Sequence, residues 1–367
     1  MAADLKNVHG EYIFFAAYLA QDKEEDAWEV NGRMLSNFLS ALEKTGAISS
    51  VKRIILVCGA KQYGVHLGMP KQPMQEDAPW LTSSKWPPNF YYNQQNILHD
   101  FCAKHGKEWV VTYPNDVIGF AMGNFMNLAS ALALYTLVSK EMSGGGNGIT
   151  FPGSPGFYTK FDSFTSSKLH AEFCAWAALE PRAANNAFNI VNGDVESWQN
   201  LWPKVTAYFG TNVKPNQFAA VYEKSGGVGE QLKKKVFNTG DDHQDQSSTM
   251  DMAPQPPISV EADAIGLHGT PALEPNQVEQ HIDLVKWSQR DDVKAAWNAL
   301  AERKGLDKGV FEKATWAFLG FVLGRNFYLV ISMSKARECG WTGYRDTWGS
   351  LSDVFEQMRE AGVLPKA

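Results

Sequence analysis

The chain has 367 residues, of which 44% are hydrophobic and 20% charged, and a formal net charge of −6. Such a composition supports a buried core and excludes global disorder, and the length suits one large α/β domain with a smaller helical part. The acidic balance, with Lys233-Lys234-Lys235 as the longest basic cluster, argues against a nucleic-acid partner.

The four cysteines, Cys58, Cys102, Cys174 and Cys339, lie too far apart for a metal or redox motif. They read as reduced thiols in a cytoplasmic protein, with no metal site. Residues 11–19 form an apolar, aromatic-rich run flanked by acidic residues, which predicts a strand rather than a signal peptide. An amphipathic helix follows over 25–45, stopped by Gly46. Residues 51–58 predict the next strand, 93–105 a helix and 109–113 a third strand.

The apolar run 125–138 contains Asn127 and falls short of the roughly 20 residues of a membrane span; it reads as a buried helix. Residues 187–191 add a strand before Asn192-Gly193 turns the chain, and further helices are expected over 277–303, 311–320 and 351–361. Between 238 and 275 the composition turns to Asp, Gln, Ser, Pro and Gly, as in a mobile surface insertion.

Strands alternating with helices imply a parallel sheet. The fold class is therefore α/β: an incomplete doubly wound, Rossmann-type sheet with a smaller, mainly helical C-terminal region. Residues 1–205 form the nucleotide-binding part, 206–330 the substrate side, and 331–367 pack back on the core. A complete sheet of this kind feeds its first strand into a Gly-rich turn that receives a pyrophosphate, and nothing before residue 50 fits. Residues 144–148 follow a helix, and 226–229 follow a polar stretch, so both glycine clusters read as loops.

Two residue types in this frame suit redox chemistry on a carbonyl compound. Tyr91-Tyr92 offers phenols, but the lysine that would stand four residues on in a short-chain dehydrogenase is replaced by Gln95 or Asn96. Lys61, just past the strand ending at Cys58, is a cation able to reach the start of the following helix, because strand ends and helix starts face one crevice.

The pattern around these residues is more specific. Gly59-Ala60-Lys61-Gln62-Tyr63-Gly64, Pro88-Asn89-Phe90-Tyr91-Tyr92 and Pro114-Asn115-Asp116-Val117-Ile118-Gly119-Phe120 occur in order, with Asn31-Gly32-Arg33-Met34 before them and Asn192-Gly193-Asp194 and Ser332-Met333-Ser334-Lys335 after. The chain resembles the progesterone 5β-reductase/iridoid synthase-like (PRISE) family, a divergent branch of the short-chain dehydrogenases, over most of its length.

The resemblance implies NADPH-dependent 1,4-reduction of an enone or enal, with a small-molecule carbonyl substrate and a role in specialised metabolism. It makes Tyr92 the phenol that hydrogen-bonds the enolate oxygen and Lys61 the supporting cation. It further implies cofactor contacts at Ala17, Tyr18, Tyr92, Val117, Asn124, Phe125 and Met126, and a substrate contact at Phe327, near the start of a late helix.

Against the family pattern the sequence enters at about the fourth strand, so NADPH binding is expected if the native chain carries the missing segment. Without it, the pocket would serve a cofactor-free isomerase or cyclase, or a non-catalytic binding protein. A sheet of three or four strands also leaves an open edge, which favours aggregation or a homo-oligomer.

Overall fold

The computed structural model describes residues 2–121, 126–144, 146–219, 248–251, 256–266 and 277–366. Its central sheet has four parallel strands in the spatial order β1 (Tyr12–Phe15), β2 (Arg53–Val57), β3 (Glu108–Pro114) and β4 (Asn186–Ile190). Ile54, Ile55 and Leu56 of β2 have no solvent exposure, as expected of a strand covered on both faces. Ile54 and Leu56 belong to a cluster with Leu35, Leu39 and Leu98, whereas Ile55 belongs to another with Leu169 and Phe173.

Helices α1 (Glu24–Thr45) and α2 (Phe90–His105) cover the first of these faces. α1 buries Ala27, Asn31, Leu35, Leu39 and Leu42 at helical spacing; Glu24, Glu25 and Asp26 fill its first turn, where unpaired N–H groups favour carboxylates. α2 starts three residues earlier than periodicity suggests, because the Asn89 side chain caps it by accepting from the Tyr91 N–H. Both tyrosines of the pair therefore lie in its first turn.

The two helices approach closely at Gly32, where a Cβ would stand 2.2 Å from Asn93 Nδ2. In the space this leaves, Asn93 Nδ2 donates to the Trp28 carbonyl at 2.9 Å and Gln94 Nε2 to the Asn31 carbonyl at 3.2 Å. The opposite face of the sheet is covered by the helix Ser167–Leu179. A separate core surrounds α3 (Leu128–Met142) with the helices Trp198–Tyr208, Asp291–Lys304, Trp316–Leu323 and Thr347–Glu360.

Several expectations change. The first strand is confined to Tyr12–Phe15 and lies at a sheet edge with Phe14 exposed. The helix expected over 277–303 is instead a strand, Gln277–Gln280, antiparallel to Ser248–Asp251, followed by the helices Leu284–Gln289 and Asp291–Lys304. Asp283 caps the first of these helices, and the extended backbone of Arg290 separates them. The polar stretch 238–275 contains, in its described parts, that partner strand and the short helix Ser259–Ala264. The glycine cluster 226–229 lies outside the described residues.

Phe327 does not start a helix. It lies at a bend after Trp316–Leu323 and is buried in the cluster that holds Val65, Met74 and Leu329. Among the described residues, no helix is long and apolar enough to cross a membrane, and no group of His, Cys, Asp and Glu could hold a metal.

One ion cluster joins the C-terminal end of β3 to the later chain. Arg325 forms a two-bonded pair with Asp116, one bond at 3.0 Å, and its Nη1 lies 3.7 Å from Asp162 Oδ2; all three side chains are buried. Burial, followed by the neighbouring Asp116, raises the Asp162 pKa well above the usual range. Removing the cation leaves buried acids without their counter-charge. Arg325→Met should therefore lose about 3–5 kcal/mol in urea denaturation at neutral pH, and an unchanged midpoint would show that the cluster contributes nothing.

Candidate active site

β2 ends at Val57, and Cys58-Gly59 leads into a short 3₁₀ turn, Ala60–Tyr63, closed by Gly64 in the left-handed conformation at φ 76°. A Cβ at residue 59 would stand 3.1 Å from Tyr91 Oη and 3.3 Å from the Pro114 carbonyl, so glycine there admits the Tyr91 phenol beside the strand end. Asn89 ties this turn to α2. Its Nδ2 donates to the Lys61 carbonyl at 2.8 Å while its Oδ1 caps the helix.

Lys61 Nζ lies 2.6 and 2.5 Å from the two carboxylate oxygens of Glu24, in the first turn of α1, and 5.1 Å from the centroid of the Phe90 ring. The pair is mostly shielded, with side-chain exposures of 21% for Lys61 and 30% for Glu24. Burial lowers the Lys61 pKa from its usual value, and the Glu24 carboxylate opposes that shift.

The two tyrosines differ sharply. Tyr92 is buried; its hydroxyl donates to the Gln62 carbonyl at 2.8 Å and accepts from the Leu81 N–H at 3.1 Å, and its ring stacks on Trp80 at 4.7 Å. Tyr91 is half-buried, and its hydroxyl makes no hydrogen bond among the described residues. Its ring packs against Phe90 at 4.4 Å. Burial pushes the Tyr91 phenol well above its ordinary pKa, with Cys58, Tyr18 and Glu24 adding to the shift. The phenol is therefore a neutral donor.

Beneath these groups runs a bonded polar layer. Tyr113 Oη donates to Gln95 Oε1 at 2.6 Å, Gln95 Nε2 donates to Gln62 Oε1 at 2.8 Å, and Tyr63 Oη donates to Asn189 Oδ1 at 2.6 Å. Satisfied buried networks of this kind hold their members in one arrangement. Both ring nitrogens of His66 are buried without a partner among the described residues; burial, and then the Lys61 charge, hold its pKa down to about 3.

Of the expected cofactor contacts, Tyr18 stacks on Phe90 at 5.2 Å, beside Lys61, and Ala17 is exposed next to it. Val117 and Met126 are also exposed. Asn124 and Phe125 lie outside the described residues. Tyr18 and Met126 share an open cavity of about 730 Å³ whose far wall includes Val285, Phe311, Trp316 and Phe318. Phe327 is not among its walls. A smaller hollow of about 530 Å³, bounded by Ile149, Lys214 and Arg290, holds none of these residues.

The PRISE-like Rossmann-fold domain matches residues 1–230 of this chain. An uncharacterised protein of Schizosaccharomyces pombe is 36% identical over 366 residues, 99% of this chain and 83% of that protein. The chain belongs to the PRISE-like Rossmann-fold domain family. A 3-oxo-Δ(4,5)-steroid 5-β-reductase of Arabidopsis thaliana is 30% identical, and an (S)-8-oxocitronellyl enol synthase, ISY1, of Nepeta cataria is 27% identical; each match covers 96% of this chain and 74% of the relative. This PRISE-family protein is an oxidoreductase of the short-chain dehydrogenase/reductase type.

Glu24 and Asn89 were not singled out by the sequence. Glu24 stands 37 residues from Lys61 in an ordinary acidic helix start, while Asn89 three residues before Tyr92 carries the only readable signal, that of an N-cap. Because Asn89 serves two elements, Asn89→Ala should lose about 1 kcal/mol by chemical denaturation. It should also speed amide hydrogen exchange over residues 61–64; exchange at the wild-type rate there would show that the tie to Lys61 is dispensable.

Proposed function

We propose that this protein is an NADPH-dependent reductase that saturates the activated C=C bond of an enone or enal by 1,4-reduction. The observation carrying this reading is that the end of one parallel strand carries both a held ammonium, Lys61, and a neutral phenol, Tyr91, whose hydroxyl has no hydrogen-bond partner among the described residues. That is where doubly wound folds bind cofactor and substrate.

The residues present fit the nicotinamide end of such a cofactor. Ala17, beside Tyr18, and Met126, which shares a cavity with it, expose small or apolar side chains, as does Val117, and would face a flat ring. The chain after β1 runs Ala16-Ala17-Tyr18-Leu19-Ala20-Gln21 without a glycine, so it offers no pyrophosphate turn of the usual kind. NADPH, when bound, supplies the hydride that adds to the β-carbon.

The chain's own residues then handle the charge that gathers on the carbonyl oxygen as an enolate forms. Tyr91 takes the role that the resemblance implies for Tyr92, because the one proton of the Tyr92 hydroxyl is already donated to the Gln62 carbonyl. Its raised pKa keeps the Tyr91 proton in place to be donated as a hydrogen bond. Lys61 adds a positive charge in a poorly solvated setting, where it acts more strongly than in water. The apolar cavity beyond Tyr18 suits a hydrocarbon skeleton attached to that carbonyl.

Steady-state NADPH oxidation with a panel of enones and enals tests this assignment. Tyr91→Phe should lower kcat by about 10²–10³, whereas Tyr92→Phe should keep kcat within a few fold and lose about 1 kcal/mol of stability. The reverse pattern would return the role to Tyr92, and no oxidation with any member of the panel would overturn the reductase reading.

A further inference from the structure

Lys61 stands where its charge is disfavoured. It is largely shielded from water; Glu24 on α1, the Phe90 ring on α2 and His66 on its own stretch of chain are its neighbours, with Tyr18 stacked on Phe90 and with Tyr91 and Cys58 beyond them at the end of β2. Tyr18, Tyr91 and Cys58 are held protonated and neutral by burial, and His66 is held neutral by it as well. Glu24 is the only carboxylate among them.

We propose that Glu24 is the positioning residue of this site, holding the Lys61 ammonium charged and fixed in direction, with donor capacity left for a substrate oxygen. The proposal rests on the reading of Lys61 as the cation of the reaction. Three features support it. Both oxygens of Glu24 lie within 2.6 Å of Nζ, on one side of a group that has three N–H donors. The Phe90 ring faces Nζ, and Asn89 fixes the Lys61 carbonyl, so the otherwise flexible lysine is held at both ends. Glu24 is itself fixed, because α1 is joined to α2 by the bonds from Asn93 and Gln94.

Lys61 loses its proton as pH rises through a pKa already below 10.5, and the Glu24 carboxylate keeps that pKa from falling further. Replacing Glu24 by a neutral isostere should therefore move the loss of the ammonium to lower pH.

Trace acetylation with acetic anhydride across a pH series, quantified at Lys61 by mass spectrometry, reads this titration without requiring turnover. In Glu24→Gln the Lys61 midpoint should fall by about 1 unit or more, and where turnover is measurable the alkaline limb of kcat should move down with it. Glu24→Asp, with a shorter reach, should lie between the two, and it carries the test if Glu24→Gln does not fold. A Lys61 midpoint equal to wild type in the folded variant overturns the proposal. A shifted midpoint in a protein that oxidises NADPH with no enone sustains the role of Glu24 and removes the reductase reading.

Discussion

The site depends on a strand buried on both faces. Ile54 and Leu56 look into the core under α1 and α2, and Ile55 into the core under the helix Ser167–Leu179. Slipping β2 by one residue would exchange these two sets, so its register is set by both layers at once. Full burial of each such side chain contributes about 1.5–3 kcal/mol. That fixed register places Gly59 and Lys61 at the strand's end, facing the first turn of α2.

From this anchor the geometry propagates through polar contacts rather than further apolar packing. Asn89 joins the turn that follows β2 to α2, and the Gln62-Gln95-Tyr113 chain ties both to β3. The Tyr92 hydroxyl belongs to this supporting layer. Tyr91, one residue earlier and about 100° around the helix, faces the Gly59 side instead. Adjacent tyrosine hydroxyls thus sit in opposite surroundings: one has a donor and an acceptor partner within the protein, the other none among the described residues. Among the described residues Glu24 adds the one carboxylate paired with Lys61, in a setting where neighbouring phenols, thiol and imidazole are held neutral.

Much of the architecture was legible because it rests on local pattern. The fully apolar stretch within 51–58, the 3.6-residue spacing over 25–45 and the strand at 109–113 each report burial directly. The aromatic run over 11–19 overstated its strand, since beyond Phe15 the chain leaves the sheet and Leu19 and Ala20 are exposed. The polar first residues of 277–303 give no local sign of the strand pairing with Ser248–Asp251, which lies more than 25 residues away in sequence. Phe327 lies in the buried cluster that also holds Val65 and Leu329, a placement that rests on packing remote in sequence.

By itself the sequence determined the α/β class, the order of the sheet's strands and helices, and the family, because these follow from periodicity and from motifs kept in order along the chain. It also marked Lys61 and the tyrosine pair. Which tyrosine hydroxyl is taken up by the protein's own groups, and which acid meets Lys61, were decided only by tertiary structure. Both depend on directions and distances between residues remote in sequence: the close α1–α2 approach at Gly32 brings Glu24 to Lys61, and the carbonyl of Gln62 takes the Tyr92 hydroxyl. No local pattern encodes either contact, since each requires the packed helices to exist first.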